Sequence, residues 1–212
     1  MDANEKPHKA AYPESLDAIV LAGTDSNPRR MIQGQNKAFL EIAGRPLVRE
    51  VVEALLAAES VGDVYVVGPR ERLDEALGDF SEHVTRVQQR GKMIANAWAA
   101  IHASEAREKE RTGGSDPRRP LLVISSDLPL ITPEAVDDFV ARCAAEDADF
   151  EGGYAMLCGV TDESSLKDYY PADGKPGIVR PYVNFRDSRQ RLANIYVGRP
   201  RLLANQKLLQ TG

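Results

Sequence analysis

The chain has little cysteine, no long hydrophobic run and no excess of positive charge, and each absence removes a class of protein. Cys143 and Cys158 are its cysteines, and they lack the paired spacing of a metal site. Both thiols are therefore expected to be reduced and buried, as in a cytoplasmic protein. No apolar segment approaches the roughly 20 residues that span a bilayer, and the polar first residues lack the apolar core of a secretory signal. The net charge of −5 argues against a nucleic-acid-binding surface.

Two common nucleotide-binding motifs are also missing. No Gly-Lys-Ser/Thr follows the first apolar run, which argues against a P-loop. No Gly-x-Gly-x-x-Gly occurs, which argues against a dinucleotide fold of the dehydrogenase kind. The histidines are scattered and form no ligand set. With 42% hydrophobic and 28% charged residues, the 212-residue chain has the composition of one globular domain with a sizeable core.

Short apolar runs alternate with helical patterns over most of the chain. Strands are predicted at Leu16–Ala22, Val64–Val67, Val84–Gln88 and Leu121–Ser125. Helices are predicted from Pro46 to about Glu59, over Arg70–Leu77, from Met93 to about Lys109, and from Pro133 with Thr132 as N-cap. Strands separated by helices indicate βαβ units. The predicted fold class is α/β, a Rossmann-like three-layer αβα arrangement around a mainly parallel mixed sheet.

The pattern changes after Phe150, where glycine, tyrosine and short β-like pieces replace the alternation. These pieces are Tyr154–Val160, Arg180–Phe185 and Asn194–Val197. We predict a flexible arm over residues 1–14 and a single domain over residues 15–212. Within that domain, residues 150–198 are expected to form a small β-rich insertion that covers the sheet edge on the acceptor side.

The first strand ends at a glycine and leads into a basic loop. Gly23 allows a ligand to approach the backbone closely, and the amides of Thr24–Ser26 could donate to phosphate oxygens. Arg29, Arg30 and Lys37 follow on the same loop. Because α/β sheets bind ligands at the carboxyl ends of their strands, this pattern indicates a polyphosphate site. The alternative is a surface loop whose cations are simply solvated.

A carboxylate follows a second apolar strand. Asp127 comes two residues after the end of Leu121–Ser125, in the sequence Ser126-Asp127-Leu128-Pro129. Cations for phosphate and an acid for a divalent metal, at one edge of a sheet, suggest chemistry on a nucleoside triphosphate. The alternative is a carboxylate that caps the backbone of its own turn.

With these motifs in order, the sequence resembles the nucleotidyltransferase family with the glycosyltransferase-A-like fold. That family contains sugar-phosphate nucleotidylyltransferases and the MobA-like, molybdenum-cofactor guanylyltransferase-like enzymes. The matching residues run over about residues 16–145, and they are Leu21-Ala22-Gly23, Arg30-Met31, Lys37, Gly44-Arg45-Pro46 and the strand ending in Ser126-Asp127-Leu128-Pro129. The loop Gln89–Met93, leading to Asn96, corresponds to a second base-recognition segment of the family.

The resemblance implies a role for each matched residue. The nucleotide-binding residues would be Leu21, Ala22, Gly23, Thr24, Arg90 and Asn96. Lys37 and Arg30 would be catalytic, since they would neutralise charge on the α-phosphate and the departing pyrophosphate. Asp127 would bind Mg²⁺, the implied cofactor. Asn194 is the candidate for a second metal ligand by analogy with relatives, and an ordinary turn asparagine is the open alternative.

The sequence departs from the family pattern in its glycine loop and at its end. Thr24 replaces the family's second glycine and Pro28 stiffens the loop, which puts triphosphate affinity in question. Many relatives continue beyond the position of Gly212, so a C-terminal element is expected to be missing.

The leading hypothesis is an Mg²⁺-dependent transfer of a nucleoside monophosphate from an NTP to a small phosphorylated metabolite, with release of pyrophosphate. Two alternatives stay open: a non-catalytic nucleotide-binding or scaffold member of the fold, and a glycosyltransferase that uses an NDP-sugar. The expected partners are the two substrates, with neither nucleic acid nor membrane. A homodimer and a monomer both remain open, and neither the base nor the acceptor is identified.

Overall fold

A computed structural model describes residues 12–23, 35–80, 83–150, 153–172, 174–177, 179 and 181–203. The strands are β1 Leu16–Leu21, β2 Glu41–Ile42, β3 Arg45–Pro46, β4 Val61–Gly68, β5 Val84–Gln88, β6 Leu121–Ser125, β7 Met156–Asp162, β8 Val183–Asn184 and β9 Arg189–Gly198. The α-helices are α1 Leu47–Ala57, α2 Arg70–Leu77, α3 Met93–Thr112 and α4 Pro133–Ala148. Short 3-10 helices lie at Lys37–Phe39, Glu163–Tyr169 and Pro200–Leu202.

Within the described residues, seven strands form one mixed sheet in the order β5-β4-β1-β6-β9-β7, with β8 paired to β9. The neighbours β5, β4, β1 and β6 are parallel, whereas β9 runs antiparallel to both β6 and β7. Strands β2 and β3 form a separate small hairpin. The α/β class and the mainly parallel sheet predicted from the sequence are confirmed.

Helices cover both faces of the parallel part of the sheet. Ala18 and Val20 of β1 pack into the larger core with α1, α2 and α4, while Ile19 packs with Trp98 and Ile101 of α3 on the opposite face. Both faces of β1 are therefore buried, which is why its sequence is a continuous apolar run. The result is the predicted three-layer arrangement.

Local sequence signals fix several helix ends. The Thr132 hydroxyl caps α4 by accepting from the backbone N–H of Ala135 at 3.3 Å, and Pro133 occupies the first turn. Helix α3 runs a few residues past the predicted end and stops at Gly113, which adopts the left-handed conformation. The eight elements predicted between residues 16 and 148 are all present.

The C-terminal β-rich part is integrated into the main sheet. Strands β7 and β9 extend it beyond β6, and β9 begins at Arg189, before the predicted start at Asn194. The first residues of β9 reach past the end of β6 and pair there with β7 and β8. Because this end is more exposed, its polar sequence does not look like a strand.

The start of the chain lies mostly outside the described residues. Of the predicted arm, residues 1–11 are not described, and Tyr12 packs against the larger core. No helix in the described part of the chain is both long and apolar enough to cross a membrane.

The two cysteines differ in their surroundings. Cys143 is buried in α4, and burial raises the pKa of its thiol to about 11. Cys158 lies exposed on β7, so the prediction that both cysteines are buried is wrong for this residue. It lies on the side of the sheet that carries α3, and α3 packs against β1, β4 and β5 rather than against β7.

Candidate active site

Backbone hydrogen bonds hold three loops together at the carboxyl edge of the parallel strands. Ala22 N–H donates to Val67 O at 2.9 Å, and Ser126 N–H donates to Leu21 O at 3.3 Å. Gln89 N–H donates to Gly68 O at 2.9 Å. The loops after β1, β5 and β6 therefore leave the sheet side by side, as the parallel topology requires.

Lys37 opens a short 3-10 helix that is anchored at both sides. Ala38 and Phe39 are buried in the larger core. Asn36 caps the turn, because its Oδ1 accepts from Ala38 N–H at 3.0 Å. The Asn36 Nδ2 donates to Ala22 O, the carbonyl just beyond β1, at 2.8 Å. Lys37 is thereby placed next to the end of the first strand.

Asp127 lies opposite this lysine. The Lys37 Nζ is 3.6 Å from Asp127 Oδ2, and the two side chains are 37% and 27% exposed. The Ser125 hydroxyl donates to the other carboxylate oxygen of Asp127, which orients the group. Ninety residues separate the cation from the acid in sequence, so the sheet edge brings them together. Both side chains remain open to solvent on one side, where a ligand can reach them.

Asn194 lies in an irregular stretch of β9. Three residues, 193–195, face the single residue Gly159 of β7, because Tyr196 pairs with Cys158 and Leu192 pairs with Val160. Asn194 takes a left-handed conformation with φ of 58°, and it comes one residue before Ile195, which pairs with Ile124 of β6. Bulges and strained backbone of this kind are common next to functional sites.

Asn96 connects the loops after β1 and β5. This side chain on α3 is 3% exposed, and its Oδ1 accepts from the backbone N–H of Arg90. A Cβ at position 23 would lie 2.3 Å from Asn96 Nδ2, so only glycine fits there. The side-chain oxygen of Asn96 accepts from Arg90, and the side-chain nitrogen of Asn96 lies next to Gly23.

These groups line one cavity of about 440 Å³. Six of the predicted site residues border it: Leu21, Gly23, Lys37, Asn96, Asp127 and Asn194. Ala22 and Arg90 are not among the lining residues. Ala22 is buried and contributes backbone hydrogen bonds, and the backbone N–H of Arg90 donates to Asn96 Oδ1. Thr24 and Arg30, together with the rest of the loop from residue 24 to 34, lie outside the described residues.

Gly91 and Met93 of the predicted base-recognition loop also line the cavity, as do Val123, Ile124, Ser125 and Ser126 of the matched strand motif. The sequence analysis gave no role to two further lining residues, Asn36 and Tyr196. Asn36 carried a usable signal, because asparagine is favoured at N-caps and this one directly precedes Lys37. Tyr196 follows Asn194 by two residues on β9, yet nothing in its local sequence distinguishes it from a core tyrosine.

The cavity is suited to a hard cation that also binds substrate phosphates. Among the described residues no group of three or more His, Cys, Asp or Glu side chains could hold a metal by itself. The available donors are oxygens, namely the Asp127 carboxylate and the Asn194 side-chain carbonyl. Mg²⁺ characteristically uses one or two carboxylates and completes its shell with water and phosphate oxygens. These oxygen donors therefore fit Mg²⁺.

This chain is similar to known proteins in sequence and in fold. Bifunctional protein GlmU from Sorangium cellulosum is 32% identical over 133 residues, which is 59% of this chain and 25% of that protein. The probable molybdenum cofactor guanylyltransferase from Thermococcus kodakarensis is 28% identical over 123 residues, covering 58% of this chain and 51% of the relative. The chain thus spans between a quarter and about half of the length of these two relatives.

A solved structure of a hypothetical transferase from Thermus thermophilus has a TM-score of 0.57 and 20% identity to this chain. The similarity covers 93% of this chain and 76% of that one, and it shows a common fold. The family described as the MobA-like NTP transferase domain matches residues 18–158, which contain the loops after β1, β5 and β6. The match extends over more than half of the sequence, and the chain belongs to the MobA-like NTP transferase domain family.

Proposed function

We propose that the protein is a nucleotidyltransferase that moves a nucleoside monophosphate from an NTP to a small phosphorylated acceptor. An acceptor phosphate oxygen attacks the α-phosphorus, the bond from the α-phosphorus to the bridging oxygen breaks, and pyrophosphate leaves. The observation that carries this proposal is the meeting of Lys37 and Asp127, 3.6 Å apart at a cavity on the carboxyl edge of the sheet. The family membership supports the same chemistry.

The base and ribose would lie against Leu21, Gly23 and Asn96. Gly23 lets the ligand approach the backbone closely, and the Asn96 amide nitrogen offers a donor in a largely dry environment. Ala22 and Arg90 support this region through backbone hydrogen bonds. Thr24 remains a proposed nucleotide-binding residue on the strength of the family pattern.

The Lys37 ammonium would contact the triphosphate and counter the negative charge that grows on the departing pyrophosphate. Such charge stabilisation, together with positioning of the reactants, is sufficient for phosphoryl-type transfer without a protein nucleophile. Arg30 is proposed for the same task from the family pattern. Lys37 also keeps the Asp127 carboxylate in place before substrate arrives, because the two form an ion pair.

Asp127, with Asn194 as a second oxygen donor, would hold Mg²⁺. When bound, the ion would polarise phosphate oxygens and neutralise their charge. Ser125 keeps one carboxylate oxygen of Asp127 oriented by hydrogen bonding, and Asn194, with its left-handed backbone, lines the cavity.

The acceptor would lie beside Asn194 and Tyr196, within the proposed acceptor-side segment of residues 150–198. A cytoplasmic location and the oligomeric state stay predictions.

The proposal is tested by incubating the protein with each NTP, Mg²⁺ and a panel of phosphorylated metabolites, and measuring pyrophosphate. Release of pyrophosphate with one NTP and one acceptor is the expected result. Release of a nucleoside diphosphate from an NDP-sugar would instead identify a glycosyltransferase. Tight nucleotide binding without any released product would identify a non-catalytic member of the fold.

A further inference from the structure

We propose that Asn36 is the positioning residue that holds Lys37 over the triphosphate. Its side chain connects the 3-10 turn Lys37–Phe39, here called the lysine turn, to the end of β1 by a hydrogen bond. This inference rests on the proposed function, and it adds a residue for which the sequence motifs gave no role. It starts from the two hydrogen bonds that the Asn36 side chain makes in opposite directions.

The two bonds use the two ends of one amide group. Oδ1 accepts from Ala38 N–H at 3.0 Å, which caps the turn that begins at Lys37. Nδ2 donates to Ala22 O at 2.8 Å, across fourteen residues of sequence. Because a backbone N–H must be met by the oxygen and a backbone carbonyl by the nitrogen, the orientation of the amide is fixed.

The partner carbonyl belongs to a rigid part of the molecule. Ala22 is 1% exposed, and its N–H donates to Val67 O of β4 at 2.9 Å. Gly68 makes room for the carbonyl, since a Cβ there would lie 2.9 Å from Ala22 O. The lysine turn is therefore attached to the core of the sheet on its N-terminal side by Asn36, and on its C-terminal side by the buried Ala38 and Phe39.

Among the described residues, the Lys37 ammonium is held only by its ion pair with Asp127. Its side chain is 37% exposed and meets Asp127 at 3.6 Å, a distance too long for a strong hydrogen bond. The direction in which the side chain leaves the backbone thus depends on the turn. A shift of about 1 Å in a positioning element can lower a rate by about a hundredfold, so the Asn36 bond to Ala22 O is placed to matter for turnover.

The alternative is that Asn36 acts only as a cap. Substitution by serine separates the two roles, because a serine hydroxyl can still accept from Ala38 N–H but is too short to keep the bond to Ala22 O. Asn36→Ala removes both bonds. If the hydrogen bond to Ala22 O positions Lys37, the serine variant behaves like the alanine variant in turnover. If only the cap matters, the serine variant behaves like the unmodified protein.

The experiment measures pyrophosphate release, the KM for the NTP and the melting temperature for Asn36→Ser, Asn36→Ala, Lys37→Ala and the double variant Asn36→Ser/Lys37→Ala. We expect Asn36→Ser to lower kcat about tenfold to a hundredfold, with KM and melting temperature nearly unchanged. In the Lys37→Ala background, Asn36→Ser should cause no further loss, because the residue acts through the lysine. Equal losses from Asn36→Ser in both backgrounds would overturn the proposal.

A second readout does not need activity. The rate at which an amine-reactive acylating reagent modifies Lys37, followed by mass spectrometry, should rise in Asn36→Ser relative to the unmodified protein, with Lys109 as the internal reference. An unchanged rate of Lys37 acylation would refute the proposal that the hydrogen bond from Asn36 to Ala22 O positions the lysine. If the unmodified protein binds no NTP and releases no pyrophosphate, the proposed function fails, while the acylation rates still decide whether Asn36 holds the lysine.

Discussion

We propose Lys37 as a catalytic residue, so its removal should affect turnover far more than folding. Its side chain is partly exposed and contributes little to the core. We expect Lys37→Ala to lower kcat for pyrophosphate release by about a hundredfold or more and to change the free energy of unfolding by less than about 0.5 kcal/mol. Lys109→Ala, at the far end of α3, is the matched control and should leave both quantities unchanged. Parallel losses of activity and stability in Lys37→Ala would mark the lysine as structural.

Gly23 offers a test of the nucleotide side of the cavity. In Gly23→Ala the new methyl group would lie 2.3 Å from Asn96 Nδ2, so the asparagine must move out of its buried position. We expect at least about a tenfold loss of NTP affinity by calorimetry, and a destabilisation of about 1 to 3 kcal/mol from overpacking. Gly114→Ala is the control, because a Cβ there meets nothing within 4 Å. NTP affinity that is the same in both variants would remove Asn96 and Gly23 from the binding site.

The sequence predicts some of these residues better than others. Lys37 and Asp127 were predictable because each follows a recognisable pattern, and parallel strands bring their carboxyl ends to one edge. The N-cap made by Asn36 was predictable from its residue type, but its bond to the carbonyl of Ala22 was not, because a backbone carbonyl carries no sequence signal. Asn96 is similar, since its contacts with Gly23 and Arg90 depend on how closely α3 approaches the strand ends.

At the scale of whole elements, a buried ion pair joins the end of α4 to β9. Arg199, directly after β9, donates from Nη1 to Asp147 Oδ1 at 2.9 Å and also to the Tyr154 carbonyl at 2.9 Å. Its Nε donates to Arg118 O at 2.9 Å, and Tyr154 N–H donates to Asp147 Oδ1 at 2.8 Å. This cluster holds together the segments that begin or end β6, β7, β9 and α4. It lies at the end of β9 remote from Asn194, so it supports the fold rather than the chemistry.

Removing the arginine should cost stability in a pH-dependent way. Burial alone would raise the pKa of Asp147, but the hydrogen bonds from Arg199 and from Tyr154 N–H outweigh it and hold the pKa below its ordinary value. The pair therefore stabilises the fold above pH of about 4, and this contribution fades as the pH falls through the folded-state pKa. Arg199→Met should destabilise the protein by about 3 to 5 kcal/mol at pH 7, since it leaves a buried carboxylate unpaired.

Urea unfolding at pH 7 and at about pH 3 measures the effect. The difference between Arg199→Met and the unmodified protein should shrink at the lower pH, because the unpaired Asp147 of the variant takes up a proton and the lowered pKa of Asp147 in the unmodified protein is approached from above. Arg142→Met is the control, because Arg142 lies on α4, the helix that carries Asp147. Its ion pair with Asp138 is exposed and is expected to contribute only about 0.5 kcal/mol or less to the free energy of unfolding. A destabilisation by Arg199→Met that is independent of pH would contradict the assignment of the ion pair.

The C-terminal strands were harder to predict from the sequence than the parallel strands. The parallel strands β1, β4 and β6 are buried on both faces and are readily predicted from their apolar runs. Strand β9 was predicted only from Asn194 onward, because its first residues, Arg189–Arg191, are polar and lie where the sheet is more exposed. The bulge that turns Asn194 toward the cavity depends on Gly159 of the neighbouring strand, so the position of Asn194 could not be derived from its own sequence.

At the scale of the whole molecule, we propose that loops from distant parts of the chain form a single site for a triphosphate and a divalent ion. The lysine follows β1, the carboxylate follows β6, the buried amide comes from α3, and Asn194 comes from the bulge in β9. Each group is carried by an element that also belongs to the core. Substitutions at these four positions should therefore alter ligand binding or turnover while leaving cooperative unfolding intact.

The most direct measurement is calorimetric titration of the unmodified protein, Lys37→Ala and Asp127→Asn with each of the four NTPs, with and without Mg²⁺. We expect that one NTP binds the unmodified protein and that Mg²⁺ strengthens its binding. Asp127→Asn should lose the strengthening by Mg²⁺, while Lys37→Ala should weaken binding of the same NTP under both conditions. Failure of every NTP to bind, or an Mg²⁺ effect that survives in Asp127→Asn, would contradict the claim that both side chains serve one triphosphate site.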